Sequence, residues 1–97
     1  MCFVEIYAVH LSEKAKRNLI KVPTYIIKKL MYWVDAVSNE GLSVIRKVSG
    51  YHDEPLQGNR KGQRSIRLNK AYRAIYEIDT KGVVHFVEVV EVNKHEY

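Results

Sequence analysis

Cysteine is nearly absent: Cys2 stands alone in 97 residues. A single thiol excludes an intrachain disulfide and a Cys-rich zinc site, and it fits a reducing compartment. No apolar run approaches the roughly 20 residues that a membrane-spanning helix needs. The opening MCFVEIYAVHL carries Glu5 and no basic leader, so it does not read as a signal peptide. Only two prolines, Pro23 and Pro55, break the chain, and no linker, internal repeat or low-complexity segment appears. Neither a phosphate-cradling glycine motif nor a Ser-His-Asp arrangement is present. These absences leave one soluble domain spanning 1–97, expected in the cytoplasm and away from membranes.

Acidic residues are also in short supply. Eleven Asp and Glu face sixteen Lys and Arg, for a net charge of +5. The excess is gathered in one stretch, Gln57 to Arg73, which reads QGNRKGQRSIRLNKAYR and contains no carboxylate. A basic cluster of this kind favours a polyanionic partner. Tyr51-His52-Asp53-Glu54-Pro55-Leu56 precedes it, and the chain closes on Lys94-His95-Glu96-Tyr97.

The local pattern predicts a strand at Phe3–Val9, rich in β-branched and aromatic residues. Ser12 is a good N-cap for a helix whose apolar positions are Ala15, Leu19 and Ile20. Val22-Pro23 breaks that helix, and a second runs from Pro23 to Asn39 with Ile26, Ile27, Leu30, Trp33, Val34 and Val37 at helical spacing. Gly41 is its expected stop. Leu42–Val48 fits a short helix or a strand, with helix preferred. Residues 52–62 read as loop, followed by strands at Gln63–Asn69, Ala71–Ile78 and Val83–Val92, the last apolar on both faces and so internal to a sheet. Strands separated from helices in this order give an α+β fold, with two or three N-terminal helices on one face of an antiparallel sheet.

Alternation along the strands puts Ser65 and Arg67 on one face, opposite Ile66 and Leu68. Arg73 shares a face with Ile75 and Glu77. A turn at Asn69-Lys70 would set Arg67 across from Arg73. Two guanidiniums so placed repel unless an anion lies between them, for which a phosphate is suited. The other reading pairs Arg73 with Glu77 or Glu91 on a solvated face. RNA cleavage without a metal needs a base for the 2′-OH, cations for the phosphorane and an acid for the leaving oxygen. Glu54 or His52 is the candidate base, Arg67 and Arg73 the stabilising cations, and His95 the acid, since imidazole titrates near neutrality. Lys14, Arg17, Arg60, Lys61, Arg64 and Lys70 are candidate RNA contacts. Tyr7, Tyr51, Tyr72 and Tyr97 could stack on bases; packing is the commoner role of tyrosine in a small sheet and the one expected of Tyr7, Tyr25, Tyr32 and Tyr76. His52, Asp53, Glu54 and His95 are metal-ligand types, but their spacing matches no ligand pattern, so no metal or other cofactor is expected. His10 and His85 have no partner in sequence.

The run Glu54-Pro55-Leu56-Gln57-Gly58-Asn59-Arg60-Lys61-Gly62, then Gln63-Arg64-Ser65-Ile66-Arg67-Leu68, Tyr72-Arg73-Ala74-Ile75-Tyr76 and His95-Glu96-Tyr97, resembles the RelE/HigB-type toxins of the RelE/ParE toxin–antitoxin superfamily. The resemblance implies a twisted sheet of microbial-RNase type, and ribosome-dependent cleavage of messenger RNA through 2′-OH attack. It further implies contacts to 16S ribosomal RNA, a cognate antitoxin, and operator DNA bound only through the antitoxin complex. Glu54 matches the base position of relatives, Arg73 the transition-state arginine, and His95 and Tyr97 the tail positions that supply an acid or a stacking ring. Gln57 departs from the pattern, standing where several relatives carry a catalytic lysine. That charge would have to come from Lys61, Arg64 or Arg67. A ParE-like gyrase inhibitor that binds without cutting is the alternative of the same fold, and a plain nucleic-acid-binding module is a third reading.

Overall fold

Two helices and a short third precede most of the sheet. In the computed structural model, which describes residues 5–82 and 85–94, the elements are β1 (Val9–Leu11), α1 (Glu13–Ile20), α2 (Thr24–Glu40), α3 (Leu42–Ile45), β2 (Glu54–Pro55), β3 (Arg64–Arg67), β4 (Tyr72–Asp79) and β5 (Phe86–Lys94). The five strands form one sheet in the order β1-β5-β4-β3-β2. The architecture is the expected α+β one, and β5 is an internal strand. The sheet is mixed, however: β1 runs parallel to β5, pairing Val9 with Val87 and Leu11 with Val89, while all other pairings are antiparallel. Two helices and a helical turn separate β1 from the rest of the sheet, so it need not return as a hairpin would.

The first strand lies later than its composition predicts. Among the described residues of that segment, Glu5 to Ala8 precede β1, and the Ile6 carbonyl is taken by the start of α3 rather than by a strand. Leu42 N–H donates to the Ile6 carbonyl at 2.9 Å, and Val87 N–H to the Ala8 carbonyl at 2.8 Å. Residues 3–4 of the predicted strand lie outside the described residues, as do 83–84 of the predicted last strand. A fifth strand, β2, falls where the sequence predicts loop, because two residues ending in proline carry no alternation to detect.

The helices cover one face. Ile26, Leu30, Trp33 and Val37 of α2 are buried, as their spacing predicts, with Leu42 and Ile45 of α3 and Ala15 of α1. They meet Ile66, Leu68, Ala74, Tyr76, Val87, Val89 and Val92 from the sheet. Ile20 does not join them; it is 83 % exposed. On α1 the inward stripe is Ala15, Asn18 and Leu19, followed by Val22 just past the helix, and Asn18 replaces Ile20 because its amide oxygen accepts from Val92 N–H at 3.0 Å. The three-residue β1 leaves the far half of the β5 edge without a strand neighbour. Side chains of the α1 region cover it instead: Ser12 Oγ donates to the Val90 carbonyl at 3.0 Å and accepts from Ala15 N–H as the helix N-cap. Tyr25 and Tyr32, expected to pack, are each 65 % exposed on the outer side of α2.

Gly41 ends α2 at φ +95° and ψ 149°, a conformation essentially reserved for glycine. A Cβ there would overlap the Glu5 side chain, whose carboxylate accepts from Ser43 N–H at 3.0 Å at the start of α3 and also bonds the Ser43 hydroxyl. Gly41→Ala is expected to cost about 1–3 kcal/mol, read as a lower urea midpoint with an unchanged m-value.

Candidate functional site

The face of the sheet turned away from the helices is where the predicted chemistry gathers. Asn69 sets its register. Its side-chain oxygen accepts from Ala71 N–H and Tyr72 N–H, each at 2.7 Å, closing the turn between β3 and β4. That turn pairs Arg67 with Arg73, and β5 continues the row with Asn93. One row along, Glu54, Ser65, Ile75 and Glu91 lie side by side across β2, β3, β4 and β5. A register shift between Ile75 and Tyr76 inserts Val90 as an extra residue in β5, which brings Glu91 onto the open face beside Ile75.

A hollow of about 100 Å³ opens on this face, lined by His52, Glu54, Ser65, Arg67, Asn69, Lys70, Tyr72 and Arg73 among others. The acidic loop and the arginine pair therefore converge, as the alternation argument requires. Among the described residues no ion pair involves Arg67 or Arg73. Among the described residues Arg73 Nε is buried and meets no hydrogen-bond partner. The carboxylates proposed as its partners are engaged elsewhere: Glu77 accepts from Gln63 Nε2 at 3.4 Å, and Glu91 from Lys14 Nζ at 2.7 Å and Arg60 Nη2 at 2.9 Å. A buried guanidinium N–H without an acceptor is costly, and an entering oxyanion would satisfy it.

Asp53 holds the loop in place. Its side chain is 1 % exposed, accepting from Arg64 Nε at 2.6 Å and from the Tyr76 hydroxyl at 2.5 Å. Asp53 turns inward at this anchor, while its neighbours His52 and Glu54 line the hollow. Burial and the Asp53 carboxylate raise the Tyr76 phenol well above its usual value, so it stays a donor. The Asp53 partners, 11 and 23 residues on, are invisible to local pattern.

Not every predicted contact is equally open. Arg64 is tied to Asp53, and Lys14 and Arg60 meet on Glu91. Lys61 is exposed, and Lys70 lines the hollow. Arg17 borders a separate groove of about 580 Å³ with Lys21, Tyr72 and Lys94. Tyr51 is half-buried beneath the Lys29 ammonium, 5.6 Å from its ring centre, and His10 stacks on Phe86 at 4.2 Å. His95 and Tyr97 lie outside the described residues; β5 reaches Lys94, opposite Tyr72. Among the described residues no cluster of three or more His, Cys, Asp or Glu could hold a metal, and no helix is long and apolar enough to cross a membrane.

No protein-family model matches the chain, and no curated protein matches it. Solved structures do. YafQ from E. coli superposes with a TM-score of 0.70 over 90% of this chain and 91% of its own, at 19% identity. A YoeB/ParE toxin from Agrobacterium tumefaciens gives 0.68 over 92% and 99%, at 15% identity. The toxin–antitoxin complex RelBE2 from Mycobacterium tuberculosis provides a chain matching at 0.65 over 95% and 100%, at 24% identity. The chain has the RelE/ParE toxin fold. At these identities the likeness is one of architecture, so within the toxin fold the site must be argued from this chain's own side chains.

Two outcomes follow from the polar anchors of this toxin fold. Asp53→Ala strips the acceptor from a buried phenol and a guanidinium; it should cost about 3–5 kcal/mol, seen in the denaturant midpoint. Tyr76→Phe, which removes one bond and leaves the Asp53–Arg64 pair, should cost less, about 1–2 kcal/mol. The Glu91 carboxyl is drawn down to about 2, chiefly by Lys14; burial opposes this next most strongly, and Arg60 and Asn93 add further downward pulls. A carboxyl lowered on folding stabilises above its unfolded value of 4.5 and loses that contribution as pH falls towards 2. Stability measured against pH should therefore drop across that window, and the drop should shrink in Glu91→Gln.

Proposed function

We propose that this chain is the toxin of a type II toxin–antitoxin pair and that it cuts messenger RNA on the ribosome without a metal. The observation that carries this reading is the Arg67–Arg73 row, without an ion pair among the described residues, at a hollow whose other side holds Glu54 and His52. In the reaction a base takes the proton of the 2′-OH, the 2′-oxygen bonds to the adjacent phosphorus, and the bond to the 5′-oxygen breaks. The products are a 2′,3′-cyclic phosphate and a 5′-hydroxyl. Glu54 or His52 is the base. Arg67 and Arg73 bind the non-bridging oxygens and take up the charge that develops there.

His95 supplies the proton to the leaving oxygen and Tyr97 the stacking ring; both roles rest on their place in the sequence, directly after Lys94. With Arg64 held by Asp53, the positive charge missing at Gln57 falls to Arg67 and Lys61. Tyr72, at the edge of the hollow, is placed to meet a base. RelBE2, at 24% identity, was solved as a toxin–antitoxin complex. By analogy, a cognate antitoxin is the expected protein partner of this chain and the route to operator DNA. Messenger RNA and 16S ribosomal RNA are its nucleic-acid partners, in the cytoplasm.

A short pulse of expression followed by mapping of transcript 5′ ends tests the reading. Ends clustered at ribosomal A-site codons are expected. Arg73→Ala should slow cleavage by about 10²–10³-fold, the usual loss when one oxyanion donor is removed, while the fold persists. Intact messenger together with DNA-damage signalling would contradict cleavage and point to gyrase inhibition.

A further inference from the structure

Beyond the hollow, three side chains from distant parts of the chain meet on the same open face. Lys14, in the first turn of α1, and Arg60, between β2 and β3, both bond the same oxygen of Glu91, at 2.7 and 2.9 Å. Asn93, opposite Arg73, bonds the other carboxylate oxygen. Arg60 is fixed further by Nη1, which donates to Gln63 Oε1 at 3.0 Å. The Arg60–Glu91 link crosses β4 at the row of Ile75, a residue with no exposed surface although it lies on the face opposite the helices. Glu91 itself is 12% exposed, whereas Lys14 is 59% and Arg60 38% exposed. The carboxylate is thus set low, and the two cations it gathers are turned to solvent.

Two cations and one carboxylate leave a local net charge of +1, gathered on one partly exposed Glu91 oxygen. Without Glu91 the two cations would repel and spread. The row they occupy lies two residues along β5 from the Arg73–Asn93 row, about 7 Å at strand geometry. That step is of the order of the spacing between successive phosphates in an extended RNA strand.

We infer that Lys14 and Arg60, gathered by Glu91, form a second phosphate subsite that takes the phosphate next to the one held by Arg67 and Arg73. Glu91 is a positioning residue: it touches no RNA and acts through the two cations. The inference rests on the RNA reading of the arginine pair and extends it to a second linkage, which fixes the direction in which the strand crosses the sheet. Ammonium and guanidinium donors ordered before binding spend less entropy on the phosphate than free side chains would.

Single-turnover cleavage on programmed ribosomes tests it, using messenger in which the linkage on either side of the scissile bond is in turn replaced by an uncharged methylphosphonate. In the wild-type chain one of the two replacements should slow cleavage roughly tenfold, the worth of one charge-assisted bond. Lys14→Met, at a solvent-exposed position that the fold tolerates, should cleave more slowly on normal messenger and show almost none of that sensitivity. Glu91→Gln, which frees both cations without removing either, should lose most of it too. Additive losses in Lys14→Met, or full sensitivity retained in Glu91→Gln, would overturn the subsite while leaving cleavage at the arginine pair intact. A wild-type chain that cuts no ribosome-bound messenger would overturn both readings at once.

Discussion

Two like charges directly across from each other on neighbouring strands is an arrangement that sheets avoid, at a cost of roughly 0.2–1 kcal/mol for an exposed pair. Arg67 and Arg73 are held in that arrangement by a turn whose geometry leaves little choice: the Asn69 side chain takes two successive backbone N–H groups and fixes the register of the hairpin. The repulsion persists in the free chain, and among the described residues Arg73 Nε finds no acceptor. A fold optimised for stability alone would place a carboxylate opposite. This one has carboxylates on the same face but engages them elsewhere, Glu91 with Lys14 and Arg60 and Glu77 with the Gln63 amide. The arginine pair is thereby kept available for an anion from outside.

The rest of the architecture serves that row. All three helices lie on one face, where Trp33 and Tyr76 pack with ring centres 5.2 Å apart, so the other face of the sheet stays open. Tyr76 reaches from this core to Asp53, and Asp53 reaches to Arg64. A core residue on β4 and a basic residue on β3 therefore fix the loop that carries His52 and Glu54. The bulge at Val90 has the matching effect on the opposite flank, bringing Glu91 to the open face between α1 and the loop. Core packing and site geometry are coupled through these two polar anchors, one on each side of the hollow.

Much of this was legible in the sequence, where the signal is local. The Ser12 cap, the α2 stripe and the Gly41 stop are set by neighbours three or four residues away, and the hairpin that opposes Arg67 to Arg73 follows from alternation and a turn residue. What escaped was non-local. Ile20 has helical spacing suited to the core, yet Asn18 takes the inward place because the exposed edge of β5 demands an acceptor. β1 starts at Val9, and just before it the Ile6 carbonyl accepts from Leu42 N–H of α3, a partner that no local pattern announces. The roles of Asp53 and Glu91 depend on partners up to 77 residues away; alternation could have placed Glu91 with Arg73 on one face, but only a detectable bulge could have set its row. The imidazole and ring at the chain's end, His95 and Tyr97, lie outside the described residues and keep the standing their sequence position gives them.

Arginine side-chain NMR offers the most direct test of the central claim, that the cross-strand guanidiniums form an oxyanion site. A short 2′-O-methyl RNA, which cannot be cut, would be titrated into the 15N-labelled chain while the Nε–H resonances are followed. The account predicts that the Arg73 Nε–H moves downfield and becomes protected from exchange with water, with Arg67 following. A bound RNA that shifts the Lys14 and Arg17 surfaces while leaving the Arg73 resonance unmoved would contradict it.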